Sequence, residues 1–85
     1  MPTSENELIA RYIEPNPISP GSEEARLARF GVPVWALVAH LRAVEEDIER
    51  VAQDYDLPVE AVRAALAYYR QHKAAIEARI AANAA

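Results

Sequence analysis

The apolar residues between Ile48 and Leu66 constrain the fold of this chain more than any other part of its sequence. They recur at intervals of three and four residues, which is the spacing of one face of an α-helix. Asp47 precedes the first helical run as a candidate N-cap. The run is interrupted at Asp56-Leu57, and Pro58 then stands where proline favours the start of another helix. This layout of helix, tight turn and helix predicts a helix-turn-helix.

Helical spacing continues on both sides of this motif. Upstream, Leu37 to Val44 predicts a first helix, with Trp35 anchoring its start. Downstream, apolar residues follow in steps of three and four, so the third helix is expected to continue to about Asn83. The apolar positions of this third helix are Val59, Val62, Leu66, Tyr69, Ile76 and Ile80. The fold class is therefore predicted to be mainly α, with an extended C-terminal helix.

The residues before the first helix carry different signals. Leu8 to Ile13 is rich in strand-forming residues and favours a strand, whereas the prolines of residues 14–22 predict an extended loop. Residues 25–35 predict a short β-hairpin. Its turn is expected near Arg29 to Gly31, and Pro33 confines its second strand to the edge of a sheet.

Size and composition narrow the class of protein further. The chain has 85 residues, a net charge of −4, no cysteine and no long apolar stretch. These features predict a cytoplasmic protein without disulfides, without a cysteine-based zinc site and without a membrane span. A domain this small buries only roughly 60% of its unfolded surface, so a partner or a second copy is expected to support its thin core. The chain is expected to form one domain, with the loop and hairpin in residues 1–35, the helix-turn-helix head in 36–70 and a helical extension in 71–85.

Nothing in the sequence predicts catalysis. The two histidines, His40 and His72, lack the spacing of metal ligands, and no motif of a hydrolase, a phosphate-binding loop or a dinucleotide-binding turn occurs. The acidic run Glu45-Glu46-Asp47-Glu49 is interpreted as a solvated face rather than a metal site. The chain is therefore predicted not to be an enzyme and to use no cofactor.

The distribution of charge limits the case for nucleic-acid binding. Residues 34–57 have a net charge of −4 and residues 58–85 a net charge of +2. The overall negative charge opposes the electrostatic attraction on which non-specific binding depends. At the start of the third helix, where a helix-turn-helix reads bases, Arg63 is the one well-suited side chain. Arg26 and Arg29 in the hairpin are candidates for phosphate contacts, and ordinary solvated charge is the competing interpretation for all three.

The adjacent residues Tyr68 and Tyr69 indicate a second apolar face on the third helix. Neighbouring helical residues point about 100° apart, so one stripe cannot bury both rings. Tyr69 belongs to the stripe already described. Tyr68 falls on a smooth second face with Ala61, Ala64, Ala65 and Ala67. That face either contacts a partner or is covered by the N-terminal segment of the same chain.

Three groups of residues together carry a resemblance to a known family. They are Gly31-Val32-Pro33-Val34-Trp35, Val51-Ala52 with Tyr55, and Ala64-Ala65-Leu66-Ala67-Tyr68-Tyr69. In their order and spacing the chain resembles, over about residues 9–80, the bacterial and archaeal family called domain of unknown function 433. The resemblance implies a short β-hairpin before a three-helix, homeodomain-like head. This chain has Arg29-Phe30-Gly31 where the family usually has Gly-Thr-Arg, and it adds a longer basic C-terminal extension.

The family is regarded as antitoxins of toxin–antitoxin pairs, often encoded beside PIN-like ribonuclease toxins. The resemblance implies that this chain binds and neutralises such a toxin, with operator DNA binding as a further expectation. The module is expected to form a homodimer, and the charges of Lys73 and Arg79 would suit an acidic nuclease cleft. The residues expected to engage the toxin are Tyr68, Tyr69, Lys73, Ile76, Arg79 and Ile80. Two alternatives stay open: a DNA-binding regulator that acts without a toxin, and a structural homodimer whose tail completes the core.

Overall fold

The computed structural model describes residues 4–18 and 21–84. These residues are mainly helical, with two short strands and one 3-10 turn near the N-terminus. The helices are α1 (Glu5–Tyr12), α2 (Val34–Ala43), α3 (Ile48–Tyr55), α4 (Val59–Gln71) and α5 (Lys73–Ala84). The strands are β1 (Ile13–Glu14) and β2 (Arg26–Leu27), and the 3-10 turn spans Ser22–Glu24. None of the helices among the described residues is both long and apolar enough to cross a membrane.

Helix α1 replaces the strand that was predicted over Leu8 to Ile13, of which only Ile13 is extended. The side chain of Ser4 accepts a hydrogen bond from the backbone N–H of Glu7 at 3.1 Å and so caps the helix. Acidic residues occupy the first turn and Arg11 the last turn, which suits the helix dipole. The serine followed three residues later by glutamate is the start signal of a helix, and it outweighs the strand propensity of the apolar residues.

The predicted hairpin is confirmed in a minimal form. The backbone N–H of Leu27 donates to the carbonyl of Val32 at 2.8 Å, and a bridge joins Arg26 to Pro33. The turn between them holds Arg29 and Gly31 at positive φ, where the turn was expected. On its other side β2 pairs with β1 in antiparallel register, Ile13 opposite Leu27, so Pro33 lies at the edge of the ladder.

Helices α2, α3 and α4 form the predicted helix-turn-helix head. Asp47 caps α3 by accepting a hydrogen bond from the N–H of Arg50 at 3.0 Å. Asp56 ends α3 in the left-handed conformation, and Leu57 is buried in the angle between α3 and α4. Val51 and Ala52 face the core, as the apolar spacing predicted.

Asp47→Ala is expected to lower the free energy of unfolding by about 0.5–2 kcal/mol, since it removes the side-chain acceptor at the start of a two-turn helix. Urea denaturation followed by circular dichroism measures the change. Gln53→Ala, on the exposed part of the same helix, serves as the control and is expected to leave the midpoint nearly unchanged. Equal midpoints for the two variants would contradict a capping role for Asp47.

The predicted continuous third helix is two helices. Helix α4 ends at Gln71, and His72 takes a non-helical conformation in which its N–H donates to the carbonyls of Tyr68 and Tyr69. The His72 ring stacks on Tyr68 with the ring centres 4.3 Å apart. Helix α5 then packs against α2 and the 3-10 turn. The break allows Ile76 to be fully buried in the core, which a straight helix would have carried away from the head.

Helix α1 covers the alanine-rich face of α4. At one end Arg70 donates to Glu5 at 2.6 Å, and at the other Glu60 lines a groove with Arg11 and Tyr12. The two helices therefore run antiparallel. The alanines of this face, Ala61, Ala64, Ala65 and Ala67, are buried. Of the two interpretations of the face, coverage by the N-terminal segment of the same chain is confirmed.

Candidate partner-binding surface

The exposed start of α4 offers little to a nucleic acid. Ala61 and Ala64, on either side of Arg63 near the start of α4, are fully buried within the chain. Glu60 and Arg63 remain exposed, and the Arg63 guanidinium lies 3.7 Å from the Glu60 carboxylate. Arg63 therefore stays available on the surface, but with an anion beside it.

The two hairpin arginines differ in their surroundings. The Arg26 guanidinium donates to the Glu14 carboxylate at 2.8 Å, between the two paired strands. Arg29 lies at the tip of the turn and is exposed, and the described parts of the chain place no carboxylate in ion-pairing distance of it. Of the three arginines proposed for DNA contact, Arg26 and Arg63 each lie beside one carboxylate. Arg29 has no carboxylate within ion-pairing distance among the described residues.

Most arginines of the chain are engaged in internal ion pairs. Among residues 4–18 and 21–84, six of them lie within ion-pairing distance of a carboxylate: Arg26, Arg42, Arg50, Arg63, Arg70 and Arg79. Arg11 and Arg29 are the two that have no such pair in that part of the structure. Among the arginines of the described ranges, those without a carboxylate in ion-pairing distance are therefore Arg11, at the end of α1, and Arg29, in the hairpin turn.

Arg11 and Arg29 occupy the same end of the molecule. The backbone N–H of Ala28 donates to the carbonyl of Tyr12 at 2.7 Å, which brings the end of α1 against the hairpin turn. The Arg11 guanidinium lies 5.6 Å from the centre of the Tyr12 ring, and the Phe30 side chain is 41% exposed. We call Arg11, Tyr12, Arg29 and Phe30 the arginine–aromatic tip.

Only part of this tip was predicted from the sequence. Arg29 was predicted as a phosphate contact, whereas Arg11 was not, because its position depends on α1 being a helix. Phe30 was not predicted either, although a signal was present: the only phenylalanine of the chain stands in a turn next to glycine. Large apolar residues in turns are exposed unless something covers them.

Five of the six residues predicted to engage a toxin are buried or partly buried in the fold. Ile76 is fully buried, and Tyr68 is buried with its hydroxyl donating to the Ser22 carbonyl at 2.8 Å. Ile80 is half-buried against the core, whereas Lys73 is exposed. The Arg79 guanidinium donates to Glu24 at 2.6 Å and lies 4.4 Å from the centre of the Trp35 ring. The C-terminal helix is thus fastened to the head, and the charge of Arg79 is already neutralised.

Tyr69 belongs to a polar network that joins three helices. Its hydroxyl donates to Glu77 of α5, and Arg42 of α2 donates to both Glu77, at 2.6 Å, and the Tyr69 oxygen. The hydrogen bonds from Arg42 and then Tyr69 lower the pKa of Glu77. The hydrogen bond to Glu77 raises the pKa of Tyr69, and the same carboxylate raises the pKa of Arg42. The network holds α5 against α2 and α4 rather than presenting Tyr69 to a partner.

A second polar cluster joins α2 to α3. His40 Nε2 and an Asp54 carboxylate oxygen lie 2.7 Å apart, Arg50 donates to the same carboxylate, and the His40 ring packs edge-on against Tyr55. The hydrogen bond from His40, followed by that from Arg50, lowers the pKa of Asp54. The cluster connects neighbouring helices of the head and has the geometry of a structural contact.

Asp54→Asn is expected to weaken the acid dependence of stability. A carboxyl whose pKa is lower in the folded than in the unfolded chain stabilises the fold above its unfolded pKa, and this contribution is lost as the pH falls through the folded pKa. The wild type should therefore lose more stability than the variant between about pH 7 and about pH 3. Thermal melts across this range test it, with Asp56→Asn, an exposed carboxyl, as the control. Parallel curves for wild type and Asp54→Asn would contradict the expectation.

The acidic run at the corner between α2 and α3 is solvent-exposed, as interpreted from the sequence. Glu45, Glu46, Asp47 and Glu49 are all exposed. Across the described ranges, no group of histidine and carboxylate side chains is arranged to hold a metal ion. The corner therefore adds negative charge beside the helix-turn-helix.

Comparison with known proteins identifies the family. No curated protein and no solved structure matches this chain. The family model described as "Protein of unknown function (DUF433)" matches residues 24–69. The match covers more than half of the chain, from the 3-10 turn through β2 and the helix-turn-helix, and leaves α1, β1 and α5 outside it. The chain therefore belongs to the DUF433 family.

Proposed function

We propose that this chain is an antitoxin-like module that binds a partner protein, a PIN-like ribonuclease toxin, and neutralises it by direct contact. The family is regarded as antitoxins that are often encoded beside PIN-like ribonuclease toxins, and this association suggests the class of partner. The observation that carries the proposal is the engagement of most arginines in internal ion pairs around an acidic helix-turn-helix. A surface of that kind suits contact with protein better than contact with a phosphate backbone.

Charge is the reason for this preference. Each phosphate contact needs a cation that can replace counterions, and proteins that bind duplex DNA usually supply several on one face. At the start of α4 only Arg63 is placed to do so, with Glu60 beside it. The net charge of −4 and the exposed acidic corner repel phosphate further. Protein interfaces instead need complementary charge and a few well-placed anchors, which this chain can provide.

The experiment is co-expression with the product of the adjacent gene. A stoichiometric complex is expected on size-exclusion chromatography with light scattering, together with loss of the toxic or ribonuclease activity of that product. The same measurement gives the oligomeric state of the chain alone and so tests the expected homodimer. Failure to form a complex at micromolar concentration, with both chains folded, would sink the proposal.

A DNA-binding assay distinguishes this function from that of a transcriptional regulator. The chain alone is expected to produce no shift of its own promoter fragment at low salt. If a shift does appear, Arg63→Ala should weaken it, since a bidentate arginine–guanine contact is worth about 1–3 kcal/mol. A sequence-specific shift that depends on Arg63, in the absence of a protein complex, would favour the regulator.

A further inference from the structure

We propose that this chain binds its partner protein through the arginine–aromatic tip, and that the partner presents an apolar recess edged by carboxylates. The inference rests on the proposed function, because it assigns a contact surface to a chain that binds a protein. It differs from the expectation drawn from the sequence, which placed the contact on the C-terminal helix.

Phe30 supplies the apolar part of the proposed contact surface, because its side chain is exposed. Within the part of the chain that the structure describes, Ile18 and Phe30 are the exposed large apolar side chains. Ile18 lies in the proline-rich loop beside residues 19–20, which are outside the described ranges. Phe30 instead stands at the tip of an ordered turn that hydrogen bonds hold at both ends. A rigidly presented aromatic ring is the usual anchor of a protein interface.

Arg11 and Arg29 supply the charged part of the surface, at the end of the molecule where α1 meets the hairpin turn. Arg11 and Arg29 lack a carboxylate partner among the described residues, whereas the other arginines have one. Arginine and aromatic residues are enriched together in the hot spots of protein interfaces. Two arginines without a carboxylate in ion-pairing distance among the described residues favour a partner surface that is locally negative.

The surroundings of the tip favour a protein over a nucleic acid. Glu7 and Glu60 line the same groove as Arg11 and Tyr12. An extended phosphate backbone crossing the tip would meet these carboxylates as well as the guanidinium groups. A compact recess centred on Phe30 and Arg29, at the hairpin turn, need not extend along this groove as such a backbone would.

The backbone of the turn provides a variant that separates binding from folding. Arg29 has φ +75°, in the left-handed region that strains a residue with a side chain and that glycine adopts readily. Arg29→Gly therefore removes the guanidinium and relaxes the turn. We expect this variant to melt at or above the wild-type temperature while binding the partner roughly tenfold or more weakly.

The test is calorimetric titration of the adjacent gene product with the wild type, Arg29→Gly, Phe30→Ser and Arg50→Gln. Arg50 is an exposed arginine on α3 that pairs with Asp54, so Arg50→Gln is the matched control and should bind within about twofold of the wild type. Phe30→Ser should weaken binding as much as Arg29→Gly, since it removes the apolar anchor.

The outcomes are distinguishable. If the wild type does not bind the adjacent product, the proposed function and this inference fail together. If the wild type binds and both tip variants bind equally well, the inference fails and the proposed function stands. If the tip variants lose affinity for a labelled DNA duplex at low salt but still bind the partner protein, the tip is a nucleic-acid-binding surface and the inference is overturned.

Discussion

Replacing Ile76 with alanine is expected to destabilise the protein by about 2–5 kcal/mol, because it leaves a cavity under α5. Ile76 is fully buried in the same cluster as the residues of the helix-turn-helix head. Small domains have only about 5–15 kcal/mol of stability in total, so the variant should unfold at much lower urea and at a much lower temperature. Circular dichroism and the fluorescence of Trp35, which lies beside Arg79 of α5, follow the transition.

Lys73→Ala is the control for Ile76→Ala. Lys73 lies on the same helix with its side chain exposed, so its removal should change stability by less than about 0.5 kcal/mol. If Ile76→Ala were as stable as this control, α5 would be an appendage rather than part of the core. The comparison also decides how binding experiments on the tail are designed. Deleting α5 would damage the fold, and only exposed point variants on it can test a direct contact with a partner.

Replacing Ala64 with leucine is expected to cost about 1–3 kcal/mol by overpacking the contact between α1 and α4. Ala64 is fully buried and lies on the stripe of α4 between Glu60 and Gln71, which meet opposite ends of α1. No residue of α1 is itself fully buried, so we expect α1 to detach from α4 while the helix-turn-helix head stays folded. We expect the amide hydrogens of α1 to lose their protection from exchange while those of α3 keep theirs.

Ala74→Leu is the matched control, since Ala74 is an exposed alanine on α5. The same substitution there should leave stability and exchange in α1 unchanged. Retention of α1 protection in Ala64→Leu would show that the two helices are not in close contact along this stripe. Because α1 also holds Arg11, loss of its packing is expected to weaken partner binding through the tip.

The helix-turn-helix could be predicted from sequence because its signals are local. The apolar spacing of α3 and α4, the N-cap at Asp47 and the turn at Leu57 all lie within a few residues of the structure they specify. The hairpin turn was predictable for the same reason, from a glycine and a proline placed close together. These elements coincide with the segment that the family model matches.

The ends of the chain were predicted less well because distant contacts decide them. No glycine or proline marks the break at His72. The burial of Ile76, the ion pair of Arg79 with Glu24 and the hydrogen bonds of Glu77 all require α5 to turn back onto the head. At the other end, a capping signal at Ser4 competed with strand-forming residues, and packing on α4 favoured the helix.

The candidate surface shows the same limit. Arg29 was recognisable as an exposed cation in a turn. The ion pairs of other arginines could not be recognised from the sequence, because their partners are distant along the chain. Arg70 pairs with Glu5 across 65 residues and Arg79 with Glu24 across 55. Only the three-dimensional structure shows that Arg11 and Arg29, unlike these arginines, have no carboxylate within ion-pairing distance among the described residues.

The antiparallel packing of α1 on α4 has a consequence for the order in which the protein matures. Helix α1 is synthesised first, but its docking surface is not complete until Arg70 and Gln71 have been made. At roughly 5–20 residues per second, α1 spends several seconds without that surface. Its eight residues are too few to form a stable helix alone, since isolated helices need about 12–15. The packing that positions Arg11 beside the hairpin therefore forms only after α4 has been synthesised, so a nascent chain that has not yet reached Gln71 would lack the proposed tip.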